Sequence, residues 1–289
     1  MLNYVMIALA LGSVYALIAV GFALIYGILN FSNFSHGVVM AVGAFFGYFA
    51  VTKYHVPWVL ALLGSMVVCA VLGVVIEFLA LRKLRISNAP KIYMFVSSIT
   101  VLLIIQNILT LMYQGNLYNY PTVLPIRTIR IFGSPVSTTY MLMFFICIIV
   151  LVLLNLFLRK TRMGIAISAA ASDLKTTSLM GVNVNLIITA VFLIAGAIGG
   201  MTGVFLGMSY TVNAQMGQMV LKGFIATVIG GMGSLSGAVL GAFILGILEV
   251  VFTLTIGSGL SAVGQFVIVI LFLLIRPQGL MGRKNIDKV

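Results

Sequence analysis

The sequence predicts an all-α fold: a polytopic transmembrane bundle of about eight or nine helical spans, one or two of them short or re-entrant. Three observations predict it. First, 62% of the 289 residues are hydrophobic and only 7% are charged, whereas a soluble domain carries roughly 25% charge because its surface faces water. Second, the apolar runs reach the ~20 residues that a helix needs to cross a bilayer. Third, those runs are continuous and do not alternate with a strand's periodicity. Lipid admits only helices and closed barrels, because every backbone amide there needs an internal partner; continuous runs select helices.

In order, the runs fall at 4–28, 36–52, 57–81, 92–113, 138–158, 186–208, 219–232, 237–256 and 259–276. The second is short and the seventh shorter. Either suits a half-helix or a re-entrant segment held by its neighbours. The first run follows no basic stretch and is too long for a signal sequence's apolar core, so it reads as a retained span. The whole chain, 1–289, reads as one membrane-spanning domain. Between the fourth and fifth runs, residues 114–137 carry Pro121, Pro125, Gly133 and Pro135, and the middle suits a short hairpin.

Lysine and arginine set the orientation. Three loops are basic: Arg82, Lys83, Arg85 and Lys91; Arg159, Lys160, Arg162 and Lys175; Arg276, Arg283, Lys284 and Lys288. These belong on the cytoplasmic side. Lys53, Arg127, Arg130 and Lys222 fall on the opposite side if all nine runs cross. Nine crossings then put the N-terminus outside and the C-terminus inside.

Several functions are excluded or left without support. The net charge of +12 comes from bases dispersed between apolar runs, not from one polar face for nucleic acid. Cys69 and Cys147 lie inside apolar runs and read as small buried hydrophobes. His36 and His55 have no Cys or acid at ligand spacing, so no metal site is expected. No P-loop is present. Four acids, mostly at membrane edges, assemble no nucleophile–base constellation. No catalytic residue is therefore expected: the chain is not an enzyme.

A few polar residues stand out. Glu249 lies inside the eighth run, where an acid is a functional candidate for a substrate path or gate; the plainer reading is a hydrogen bond to a neighbouring helix or a reach to the outer interface. Asn30, Asn33 and His36 break two apolar runs and either line a wet path or cap and hinge the helix that begins near Gly37. Glu77 reads as a structural partner of Arg82. Gln106, Asn107 and Gln265 read as interhelical glue. Gly196, Gly200, Gly203 and Gly207, with Gly43 and Gly47 and with Gly237 and Gly241, recur at the small-residue spacing that lets helices approach closely. Gly230 to Gly237 reads as a tight turn, with a hinge as the second reading. Residues 159–185 begin with a basic stop, continue through the helix-favouring run Ala166 to Ala171, and reach Gly181 at a C-terminal cap position. Such a segment either docks into a partner's groove or lies on the membrane surface.

The sequence carries a specific resemblance at this point. In loop 159–185 a basic residue, glycine, small residues, an acid and glycine follow in order: Arg162, Gly164, Ala166, Ala169, Ala171, Asp173 and Gly181. The loop resembles the EAA-type coupling loop of ABC importer permeases, and more narrowly that of the branched-chain amino acid (LIV-type) permeases. The stretch Tyr26 to Gly37 resembles that family's Asn-Phe-Ala-His-Gly segment. Glu77 to Arg85 resembles its Glu-Arg-x-x-x-Arg-Pro-Leu-Arg segment, with Phe78 and Lys83 in place of the usual Arg and Pro. Leu221 to Gly237 resembles its Gly-Gly-x-Gly-Ser-x-x-Gly signature, and Arg276 to Gly282 its terminal Arg-Pro-x-Gly-Leu. The resemblance implies a multi-pass permease of the bacterial cytoplasmic (inner) membrane, within an ATP-driven importer for branched-chain or other hydrophobic amino acids. It implies two cytoplasmic ABC ATPases that bind the ATP and Mg, a second related permease, and an extracytoplasmic substrate-binding protein. Related permeases serve urea, amides or aromatic acids, so those substrates stand as alternatives, and an ion-coupled carrier is a rival class.

Overall fold

The computed structural model describes residues 2–121, 128–131, 134–276 and 278–281. Helix α1 (Leu2–Leu29) is followed by α2 (Ser35–Thr52) and α3 (Trp58–Ile76). A π-helical turn, Glu77–Leu81, joins α3 to α4 (Arg82–Ile86), and α5 spans Lys91–Tyr113. Strands β1 (Thr128–Ile131) and β2 (Ser134–Ser137) form an antiparallel hairpin, as the proline and glycine punctuation predicts. Then come α6 (Thr138–Lys160), α7 (Arg162–Ser172), α8 (Leu174–Leu179) and α9 (Val184–Ser209). A 3₁₀ segment, Ala214–Met219, leads into α10 (Val220–Gly230), and α11 (Leu235–Ile256) and α12 (Ser258–Ile275) complete the described elements.

Eight of these helical stretches are long and apolar enough to cross a membrane. Eight of the nine predicted runs therefore correspond to continuous spans, including the short second one. The run 219–232 does not: α10 has 11 residues, about 16 Å of helix, against a hydrocarbon core of about 30 Å. The crossing is made in two pieces. At one end, Val212 exchanges backbone hydrogen bonds with Tyr118, in the loop after α5. At the other, the carbonyls of Ile229 and Gly230 accept from the amides of Leu280 and Met281, beyond α12. Irregular backbone at membrane depth needs protein around it; accordingly Val212, Ala214, Met216 and Gly217 are buried.

Helix α1 is the axis of the bundle. Over its most apolar stretch 78% of the residues are buried, compared with 22% for α5 and 17% for α6 and for α12. It packs against α11, α9, α10 and α6. A second layer forms where α2 and α3 meet α9. Ser65 of α3 points its hydroxyl at the carbonyls of Gly43 and Gly200, 3.0 Å from each, and so ties the three helices together. Of the glycine spacing noted in the sequence, the α2 and α9 positions lie in this layer, whereas Gly237 and Gly241 bring α11 against α10. A Cβ on Gly203 would come within 2.0 Å of the Met40 carbonyl oxygen, so α2 and α9 touch backbone to backbone there.

Overpacking such a contact costs about 1–3 kcal/mol. Gly203→Leu is expected to lower the thermal unfolding midpoint in detergent, read by labelling of the buried Cys69 and Cys147. Gly259→Ala, where an added Cβ meets no atom within 4 Å, is expected to leave the midpoint unchanged.

Candidate functional site: an elbow and a broken crossing

The loop between α6 and α9 folds into an elbow of two short helices. Thr161 caps α7 by accepting from the Gly164 amide at 3.0 Å. A Cβ on Gly164 would lie 2.2 Å from the Phe157 carbonyl oxygen, so this sharp exit from α6 requires glycine. Gly164, Ile167 and Ala170 form the buried face of α7, which packs on α1, α6 and α9. Arg162, Ala169 and Ala171 are exposed, and Ala166 is half-buried.

The single predicted helix is broken at Asp173. This residue is extended and caps α8, its Oδ1 accepting from the amides of Lys175 at 2.9 Å and Thr176 at 3.3 Å. The Thr176 hydroxyl, followed by the backbone amides, holds the exposed Asp173 carboxyl below its ordinary range. The cap is thus complete above the usual carboxylate range and is lost only as pH falls through this lowered value. Gly181 follows with φ of +80°, in the left-handed region where glycine is favoured.

At the tip, Leu179 is 87% exposed and Met180 80%. Scattered apolar residues on a surface are ordinary. These two are adjacent and end the elbow beside the exposed and polar Asp173, Lys175, Thr176 and Ser178. The sequence reading centred on the alanines and passed over this pair.

The broken crossing holds the second cluster. Lys222, in the first turn of α10, donates to Oε1 and Oε2 of Glu249 at 2.7 Å each and to the Tyr15 hydroxyl at 2.7 Å. Tyr15 donates to Glu249 Oε2 at 2.6 Å, and Tyr210 donates to Oε1 at 3.0 Å. All three ammonium protons thereby have acceptors. The Lys222 ammonium also lies 4.8 Å from the centre of the Tyr15 ring, a cation–π distance. A cation in a helix's first turn opposes the helix dipole, and Glu249 offsets it. Charge-based topology places Lys222 on the outer side, near the start of the run 219–232; in the structure it lies inside the bundle, where Glu249 neutralises it. Both side chains are largely buried, Lys222 22% and Glu249 12% exposed.

Asn30, Asn33 and His36 do not join this cluster. Asn30 is exposed with φ of +51° and ends α1. Asn33 is buried, its Oδ1 accepting from the Ser35 amide at 3.2 Å and hydroxyl at 2.7 Å in a turn just before α2; the N-cap position itself is Phe34, which offers no side-chain cap. His36 fits a notch beside Gly21 and Gly199, where any side chain on Gly21 would strike its ring. Gly21 is six residues along α1 from Tyr15, about 9 Å. The glue reading of three other residues is not met within this chain. Asn107 donates back to Leu103 of its own helix at 2.8 Å. Gln106 Oε1 and Gln265 Nε2 are buried without a partner among the described residues. Their helices, α5 and α12, sit at the bundle's edge with few neighbours. The turn 231–234 is tight, as expected: Ser234 caps α11 through the Gly237 amide at 3.1 Å.

Residues 4–276 match the family described as "Branched-chain amino acid transport system / permease component". The chain belongs to this permease family. Among its relatives, the high-affinity branched-chain amino acid transport system permease protein BraD of Pseudomonas aeruginosa is 35% identical, across 97% of this chain and 95% of that protein. The corresponding LivH protein of Escherichia coli is 32% identical, across 96% and 94%. A solved structure, PsaBC from Streptococcus pneumoniae in complex with Fab, has the same fold at 13% identity, with a TM-score of 0.51 over 96% of this chain and 93% of that one. This permease is therefore a multi-pass membrane protein and a transport component.

Removing one partner of a buried ion pair strands the other and costs about 3–5 kcal/mol, whereas an apolar pair is often neutral. In this permease Lys222→Met and Glu249→Leu are each expected to destabilise the protein strongly. The double substitution should lose clearly less than the sum, read as a double-mutant cycle of thermal unfolding.

Proposed function

We propose that this permease is the membrane subunit of an ATP-driven importer of branched-chain or other hydrophobic amino acids, in a bacterial cytoplasmic membrane. The observation that carries the reading is the elbow 162–181, which ends in an uncovered apolar tip on the same face as the basic α4. That face is cytoplasmic by the positive-inside rule, which places the C-terminus there too. Two ABC ATPases hold the elbows, and they alone bind and consume ATP and Mg. Arg162, Gly164, Ala166, Ala169, Ala171, Asp173 and Gly181 shape the elbow, and Leu179 and Met180 anchor it.

A second, related permease completes the pair and packs against weakly buried helices such as α5, where Asn107 faces outward. An extracytoplasmic binding protein delivers the amino acid. ATP closes the ATPase dimer, and the elbow, gripped differently in its two states, biases the permease between inward-facing and outward-facing forms. Glu249, with Lys222, serves as a gate on the path, and the break at Asn30, Asn33 and His36 supplies the bend. An ion-coupled carrier is disfavoured because the two largely buried acids among the described residues are already neutralised, Glu249 by Lys222 and Glu77 by Arg82 and Arg85.

Burying Leu179 or Met180 in a partner is worth about 2 kcal/mol, a factor of about 30 in affinity. Leu179→Asp and Met180→Asp are expected to release the ATPases during purification while the bundle's unfolding midpoint holds. Glu249→Gln is expected to keep the ATPases docked and lower leucine transport in reconstituted vesicles. Transport that proceeds without any ATPase would contradict the proposal, and full transport by Glu249→Gln would remove Glu249 from the gate.

A further inference from the structure

Beside α4 the basic face carries a groove of about 470 Å³, whose polar end is formed by Arg82, Asn185 and Thr189 and whose apolar wall by Leu186, Ala190 and Leu193 of α9. The polar end begins with a fully buried carboxylate. Glu77 accepts from Arg82 at 2.8 Å and from Arg85 at 3.0 Å. One acid against two guanidinium groups leaves a net positive charge, and the exposed Lys83 adds another.

Bonds to α9 hold this charge at the groove. Arg82 Nη2 donates to Thr189 Oγ1 at 2.7 Å, and Arg85 Nη2 to Asn185 Oδ1 at 2.7 Å. Arg82 Nη1 has no partner among the described residues. The Arg82 guanidinium sits 4.9 Å from the centre of the Phe78 ring.

The wall is built for hydrocarbon. Leu186, Ala190 and Leu193 follow at helical spacing on one stripe of α9. Leu186 is 54% exposed, Leu193 47% and Phe78 55%, all in membrane-spanning stretches. A cation therefore stands at the membrane's edge, and an apolar channel leads from it toward the bilayer interior.

We propose that this groove binds a phospholipid with an anionic phosphate headgroup, drawn from the leaflet on the basic face. The phosphate takes the free edge of Arg82 and the charge of Lys83, and an acyl chain lies along the wall. Basic pockets at a membrane's cytoplasmic edge recognise headgroups in this way. A free phosphate would use the cationic end and leave the wall idle. The site rests on the membrane reading alone and does not depend on what the permease carries.

Native mass spectrometry of the detergent-purified full chain tests this. The protein is titrated with phosphatidylglycerol, with phosphatidylcholine and with inorganic phosphate. The first bound phosphatidylglycerol is expected to be held tighter than phosphatidylcholine by about fivefold or more, and millimolar phosphate should not displace it. Arg82→Gln should erase the preference. That variant strands part of Glu77, so two others stand beside it. Lys83→Gln should reduce the preference, and Ala190→Phe, which fills the apolar wall and keeps every charge, should weaken phosphatidylglycerol binding with the unfolding midpoint unchanged. Equal retention of the two lipids, displacement by phosphate, or wild-type binding by Ala190→Phe would each overturn the proposal.

Discussion

Hydrocarbon offers no hydrogen bonds, so every amide of this bundle must find its partner inside the protein. Seen this way, the segment 210–230 is the critical part of the fold. It is the one described crossing that gives up a continuous helix, and the rest of the bundle is arranged to permit that. The stretch before α10 is buried by its neighbours and pinned to Tyr118, and the last residues of α10 are pinned to Leu280 and Met281 at the other end. The Lys222–Glu249 pair with Tyr15 and Tyr210 then fastens the half-helix to α11, α1 and the end of α9. Here a short α-helix, a 3₁₀ segment and one compensated charge pair stand in for a continuous spanning helix.

Helix α1 touches both features that the proposed transport cycle needs. Near its end, a Cβ on Gly27 would reach Ala171 of the elbow at 3.9 Å. Twelve residues earlier, Tyr15 bonds Glu249 and accepts from Lys222. A shift of the elbow against α1 therefore has a packed route of about 18 Å to the broken crossing. Coupling between two sites needs an element with two arrangements that both sites bias; in the proposal that element is the half-helix, whose attachment either holds or loosens.

Composition made the helical bundle legible, because no arrangement of so few charges could coat a soluble body of this size. Run length located the spans, and it exposed 219–232 as too short. The hairpin in the loop after α5 was legible from Pro135 and Gly133, and the partnership of Glu77 with Arg82 from their spacing. Other features were not. Lys222 looks like an outer-side cation because a charge rule reads bases one at a time; its partner lies 27 residues away on another helix. Tyr15 sits in an apolar run and Tyr210 at the polar end of another, and neither setting hints at a shared carboxylate. The elbow's order of small residues was visible, but the break at Asp173 was not, since alanine propensity extends a helix up to the point where an aspartate captures the next amides. Leu179 and Met180 look like core residues in any linear reading, and only the fold leaves them outside.

The account depends on residues 162–181 being held by an ATPase on the basic face. Site-directed cross-linking in inverted membrane vesicles tests that directly, with Met180→Cys as the probe and the native cysteines, both buried, as silent background. The account predicts a cross-link from position 180 to the ATPase subunit, with a yield that changes between nucleotide-free and ATP-bound vesicles. Labelling of position 180 by an impermeant reagent from the opposite face, or an ATP-driven transporter that works with this position touching no ATPase, would contradict it.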